Sequence, residues 1–181
     1  MITALGKKIN KTTKASKILN TVKATIEVDQ FDKTKIITTD NWLNFGIDKL
    51  DHHISGNLIS VDDLTVFAIT YDGNLGCMAE HSTTLKVKLT NGKIIEFSQI
   101  SNTDCGRNAS AKFMPLKKEQ IKDPNFKNLM IENLTLLEQY DWEAIRIKGS
   151  EHQIDIKPNL SSEIEKPEQF FRQHLIAADQ I

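Results

Sequence analysis

Residues Thr84 to Ser98, Thr-Leu-Lys-Val-Lys-Leu-Thr-Asn-Gly-Lys-Ile-Ile-Glu-Phe-Ser, alternate apolar and polar side chains on both sides of an Asn-Gly pair. That is the pattern of a β-hairpin. It constrains the fold because a one-residue slip in register sends every side chain to the opposite face. A two-residue turn at Asn91-Gly92 opposes Val87 to Glu96 and Leu85 to Ser98, which mixes the faces. A three-residue loop, Thr90-Asn91-Gly92, with Gly92 left-handed as a bulge, opposes Val87 to Ile95 and Leu85 to Phe97. It also sets Lys86 beside Glu96 on the outer face. The second register is the one expected, and it predicts a half-buried antiparallel sheet. It carries no information about chemistry.

A chain of 181 residues suits one domain and can bury roughly 70% of its unfolded surface, so it needs no metal or disulfide to hold a core. Hydrophobic content of 39% and charged content of 26% match an ordinary globule, and four prolines and eight glycines are too few for a fibrous or disordered chain. The net charge of −1 is unevenly placed. Lys7, Lys8, Lys11, Lys14, Lys17 and Lys23 precede the first acidic residue, Glu27. Removing those six from 23 basic residues leaves 17 against 24 acidic ones. A basic leader therefore precedes an acidic body. No apolar run reaches the roughly 18 residues needed to span a bilayer, and the N-terminus lacks the apolar stretch of a secretory signal. A cytoplasmic location is expected. Asn-x-Ser/Thr triplets begin at Asn10, Asn108, Asn133 and Asn159, and they have no meaning in a cytoplasm.

Residues 1–20 space Ile2, Leu5 and Ile9 weakly as a helix and read as a basic arm or peripheral helix; residues 21–181 read as one α+β domain. Val22, Ala24, Ile26 and Val28 alternate with polar neighbours and predict a strand, paired with a second near Lys35–Thr39. Leu43, Ile47, Leu50 and Ile54 recur with helical spacing and predict a short helix, with Gly56 as its left-handed cap. Leu64 to Tyr71 is apolar on both faces and predicts a central strand. Asp72-Gly73-Asn74 is expected to turn it back into a strand through Leu75, Cys77 and Ala79, giving a meander. Residues 101–109 are the most loop-like of the chain. Pro115 predicts a short helix that stops before Pro124. Phe126, Met130, Leu134 and Leu137 predict a second helix, with a short strand at 128–131 as the competing reading. In the hairpin from Trp142 to Lys157, matching Ile145 and Ile147 to Ile156 and Ile154 demands the even loop Gly149-Ser150-Glu151-His152. That register opposes Arg146 to Asp155. Pro167 opens a C-terminal helix carrying Phe170, Phe171, Leu175 and Ala178 on one side.

Asp51-His52-His53 resembles the signature of the DHH phosphoesterases, whose metal sites collect aspartates and histidines from several motifs. No Asp-x-Asp element precedes it, and two histidines in the last turn of a helix explain it without a metal. Cys77, His81 and Cys105, with His52 or His53, supply the donor types of a zinc tetrahedron, but no paired Cys-x2-Cys spacing occurs. On one strand Cys77 and His81 stand about 13 Å apart, too far to share an ion. Cys77 reads as a small buried hydrophobe. Cys105 sits in a polar loop, where Arg107 would lower a thiol pKa and Asp104 would raise it; as a nucleophile it needs a base such as His81 or His152 within reach. Two cysteines make no disulfide framework. No phosphate-binding glycine loop, Gly-x-Ser-x-Gly elbow or His-Glu-x-x-His helix is present, and Asp62-Asp63 belong to a turn. Trp42, Trp142, Phe170 and Phe171 are expected in the core.

The fold expected is α+β: a mainly antiparallel β-sheet of roughly seven to ten strands built from hairpins and meander, curled or sandwich-like, with three or four covering helices. The function expected first is a non-enzymatic binding or protein-interaction module, joining a protein partner or a second copy through a sheet edge or the C-terminal helix. The alternative is a small hydrolase using Cys105 or histidines such as His52 and His81. A third is weak nucleic-acid binding through the lysine-rich arm, made unlike a base-stacking surface by its lack of aromatics. No catalytic, cofactor-binding or metal-ligating residue is assigned and no cofactor is expected.

Overall fold

The computed structural model describes residues 22–47, 52–79, 82–160 and 166–179. The basic arm at 1–20 and His81 lie outside the described residues. In chain order the strands are β1 (Ala24–Val28), β2 (Lys35–Thr39), β3 (Trp42–Leu43), β4 (His53–Val61), β5 (Leu64–Asp72), β6 (Cys77–Met78), β7 (Thr84–Leu89), β8 (Ile94–Gln99), β9 (Asp104–Cys105), β10 (Asn108–Met114), β11 (Trp142–Lys148) and β12 (Gln153–Ile156). The helices are α1 (Lys118–Ile121), α2 (Phe126–Gln139) and α3 (Phe170–Asp179), the last entered through a 3-10 turn at Pro167–Gln169. Ten strands form one sheet in the order β1-β2-β4-β5-β10-β8-β7-β11-β12, with β3 also on β4, and β6 pairs β9 as a separate small ladder. Among the described residues every pairing is antiparallel, the sheet does not close, and the helices are few.

Both hairpins adopt the expected registers. Leu85 opposes Phe97, Val87 opposes Ile95, and Gly92 is left-handed at φ +83°. Lys86 Nζ lies 3.1 Å from Glu96 Oε2. In the later hairpin Ile145 faces Ile156 and Ile147 faces Ile154, and Arg146 grips Asp155 through two hydrogen bonds of 2.6 and 2.7 Å. The first hairpin, β1–β2, and the central strand β5 also stand where alternation puts them.

Three expectations are corrected. Among the described residues of the segment from Leu43 to Ile54 the expected helix is not formed: Trp42 and Leu43 make β3, and Ile54 and Gly56 lie inside the nine-residue strand β4. Gly56 is no helix cap. A Cβ there would stand 2.7 Å from Ile69 Cδ1 and 3.1 Å from Phe170 Cζ, so the bare backbone is what lets α3 approach the sheet. The return strand through Leu75 to Ala79 shrinks to β6 and does not pair β5. The place beside β5 goes to β10, whose Ala109, Ala111 and Phe113 alternate into the core. That strand begins inside the segment expected to be loop.

Helix α3 is part of the interior. Phe170 is fully buried, stacks on Phe45 with centroids 4.1 Å apart, and meets Phe171 edge-on at 5.0 Å; Phe171 meets Phe67 in the same way. Trp42 and Trp142 are buried beside them, and Trp142 Nε1 donates to Pro167 O at 2.9 Å, fixing the entry to α3. Arg172 reaches from α3 to the end of α2, donating to the Glu138 and Gln139 carbonyls and pairing with Asp141. Those carbonyls have no partner within their own helix, so the guanidinium acts as the cap. A smaller cluster of Val66, Met114, Leu116 and Met130 packs between the opposite face of the sheet and α1 and α2. Among the described residues no helix is long and apolar enough to cross a membrane.

Candidate functional site

Cys77 and Cys105 are bonded to each other. They stand directly opposite in the β6–β9 ladder, with Cα atoms 4.0 Å apart and a sequence separation of 28. The readings of Cys77 as an inert buried thiol and of Cys105 as a loop nucleophile are therefore corrected, because the bond consumes both thiols. The same bond removes them as thiolate ligands for a metal. Backbone contacts brace the ladder: Ser150 N donates to Cys77 O at 2.9 Å, and Cys77 N donates to Ser150 Oγ at 2.7 Å. Gln99, fully buried, donates from its amide nitrogen to the carbonyls of Met78, Ser101 and Asn102.

Two of the candidate histidines do converge. His52, Tyr71, Asn74, Leu75 and His152 line an open cleft of about 340 Å³ at the ends of β4, β5 and β12. His52 Nδ1 lies 2.9 Å from the Tyr71 hydroxyl. Burial, with the charge of Asp72 behind it, pushes the Tyr71 phenol above its ordinary pKa. The phenol thus stays protonated, and the hydroxyl and the imidazole share one hydrogen bond. His53 points elsewhere, to Asn44 Oδ1 at 2.9 Å on the exposed face, and it begins a strand rather than ending a helix. Among the described residues no group of three or more His, Cys, Asp and Glu side chains is placed to hold a metal ion. The cleft offers an imidazole–phenol pair and a second imidazole. Among the residues lining it there is no carboxylate to orient either ring and no activated nucleophile.

A second groove, of about 180 Å³, lies on the outer face between Lys86, Lys88, Ile94 and Arg146. Its cations are matched: Lys86 to Glu96, Lys88 to Glu143, and Arg146 to Asp155. The paired charges cancel and offer an anion little field.

His174 carries no sequence signal of a role, although Phe170 four residues earlier marks the same helical face. It is fully buried between Trp42 and Phe170. Its Nδ1 lies 2.6 Å from Thr39 Oγ1, which also accepts the Leu58 amide at 2.8 Å and lies 3.3 Å from the Leu58 carbonyl. The network closes when Nδ1–H donates to the hydroxyl and the hydroxyl donates to Leu58 O, leaving a lone pair on Nε2 without a partner among the described residues. Burial pushes the imidazole down to about 3. This is a structural, neutral histidine.

A further exposed apolar surface lies on the β1–β2 ribbon. Among the described residues β1 is one of the two outer strands of the sheet, β12 being the other. Its Ile26 and Val28 are 38% and 55% exposed, and Phe31 at the tip is 96% exposed. Phe31 N and Asp32 N donate to Asp29 Oδ1, so the tip that carries this aromatic is a formed turn. The chain matches no protein-family model, no curated protein and no solved structure.

Proposed function

We propose that this protein is a non-enzymatic interaction module that binds through the edge of β1 left unpaired among the described residues and the apolar tip of the β1–β2 ribbon. The observation that carries the reading is the exposure of Ile26, Val28 and Phe31 along one strand and its turn, at the outer edge of the sheet. A sheet edge that exposes apolar side chains is a template for another strand, and natural sheets usually blunt such edges. Of the two routes expected, the C-terminal helix is taken up by the core, which leaves the sheet edge. A curled sheet is the finer reading of the fold that best accounts for Phe45 of the β3–β4 segment meeting Trp142 of β11 at 6.0 Å.

The disulfide supports residence in an oxidising compartment rather than the cytoplasm expected from the sequence, because thiols in a reducing cytosol stay reduced. Nucleic-acid binding stays attached to the lysines of residues 7–23, most of which precede the described residues.

The test is capture from the source cell with the full chain and with an Ile26→Lys/Val28→Lys variant, each analysed by native mass spectrometry. A protein partner held by the wild type and lost from the folded variant supports the reading. Equal capture by both, or retention of a small molecule alone, overturns it. The convergence of His52, Tyr71 and His152 favours a second reading, a small polar ligand held in that cleft, and retention of a small molecule would select it.

A further inference from the structure

We infer that the occupant of the β1 edge is a second copy of this chain, paired antiparallel across a two-fold axis that passes between the two copies of Ile26. This rests on the reading of β1 as the docking edge and names its partner.

The backbone sets which pairings are open. Asp40 N donates to Lys23 O, and Asp29 N donates to Thr34 O, both at 2.9 Å. These bonds turn residues 23 and 29 toward β2, and alternation along an antiparallel ladder turns Thr25 and Glu27 the same way. Ala24, Ile26 and Val28 consequently present their N–H and C=O groups to the side of β1 where no other described strand lies. An incoming copy of β1 must meet these three residues with the same three residues of its own. Several registers satisfy that condition, and only one of them overlaps the whole strand. That full overlap places Ile26 opposite the partner's Ile26 and Ala24 opposite the partner's Val28.

Side-chain chemistry agrees with that register. Ala24, Ile26 and Val28 share the face that carries Thr39, Ile37 and Lys35 in β2, so the pairing of Ile26 with its copy continues the apolar row begun by Ile37 across the axis. On the opposite face the same register sets Lys23 against the partner's Asp29, once at each end of the ladder. Opposite charges directly across a ladder favour pairing, and apolar residues meet only apolar ones. A slip by two residues loses one of these advantages in either direction. One slip leaves Val28, the more exposed of the two aliphatic side chains, beyond the paired segment. The other sets Glu27 directly against the partner's Glu27, and like charges there oppose pairing.

The experiment is sedimentation velocity of the full chain over a wide concentration range, with two variants. The wild type should shift to double the monomer mass as concentration rises. Ile26→Lys, with an unchanged circular dichroism spectrum, should remain a monomer throughout. Ile26→Cys should give a covalent dimer on mild oxidation, because the two residues lie across from one another at a separation a disulfide spans; Thr25→Cys, which the register sets against the partner's Glu27, should cross-link at least tenfold more slowly. A wild type that stays monomeric at its solubility limit overturns the inference, as does a dimer indifferent to Ile26→Lys. If the wild type is monomeric while Ile26→Lys/Val28→Lys still abolishes capture of a different protein, this inference fails and the edge-docking reading stands.

Discussion

Thr39 Oγ1 and His174 Nδ1 lie 2.6 Å apart in the interior and tie β2 to α3. The bond joins the ribbon that carries the exposed edge to the helix that fills the core. It does so with an imidazole held neutral by burial, its pKa lowered to about 3.

The sign of the pH dependence follows. Above about pH 6.5 the ring is neutral in both the folded and the unfolded chain, and the stability is full. As pH falls below that value the unfolded chain takes up the proton first, so stability is lost progressively toward pH 3. Between pH 7 and 5 the loss from this one group is on the order of 2 kcal/mol. Urea midpoints measured across that range should fall for the wild type and fall less steeply for His174→Leu. Parallel slopes for the two proteins would contradict this assignment.

Reduction of the Cys77–Cys105 bond should weaken the fold without abolishing it. The bond closes a loop with a sequence separation of 28 and lies outside the main sheet. Chain-entropy arguments give about 3–4 kcal/mol for a loop of that length. The urea midpoint should drop on adding a dithiol reductant, and a Cys77→Ser/Cys105→Ser variant should show the lower midpoint with or without it.

Phe170→Ala should destabilise by roughly 3–5 kcal/mol, since a fully buried ring stacked on Phe45 leaves a cavity that the sheet cannot fill. Thermal unfolding followed by circular dichroism is sufficient to measure it. A cost below about 1 kcal/mol would mean that α3 is peripheral.

Gly92→Ala isolates a backbone effect. The residue is left-handed, and an added Cβ meets no atom within 4 Å, so only the conformational cost operates. It should be about 1–2 kcal/mol, with Gly92→Asn costing less because asparagine tolerates that region. Equal losses for the two variants would point to a contact rather than to φ.

The parts of the fold legible in the sequence are those where side-chain alternation and turn chemistry agree. Asn91-Gly92 and Gly149 to His152 each select one loop length, and Lys86–Glu96 and Arg146–Asp155 then follow from the register. β4 is hidden in the sequence because its inward positions include Gly56 and Ser60, too small or too polar to register as apolar, while Leu43, Ile47, Leu50 and Ile54 happen to repeat at helical spacing. β10 is hidden for the same reason, its inward residues including Ala109 and Ala111. The pairing of Cys77 with Cys105 depends on two short strands that lie side by side only once β7, β8 and β10 are in place. Convergence of His52 with His152 likewise needs β12 to reach the end of β4. Local pattern carries no information on either meeting.

Amide hydrogen exchange resolved to single residues tests most directly whether the β1 edge is where this protein binds. The full chain would be compared with the same chain in the assembly retrieved from its source cell, or at concentrations where it self-associates. The account predicts that the amides of Ala24, Ile26 and Val28, open in the isolated chain, become protected, with little change around His52 and His152. Protection that appears at the histidine cleft while those three amides exchange as before would contradict it.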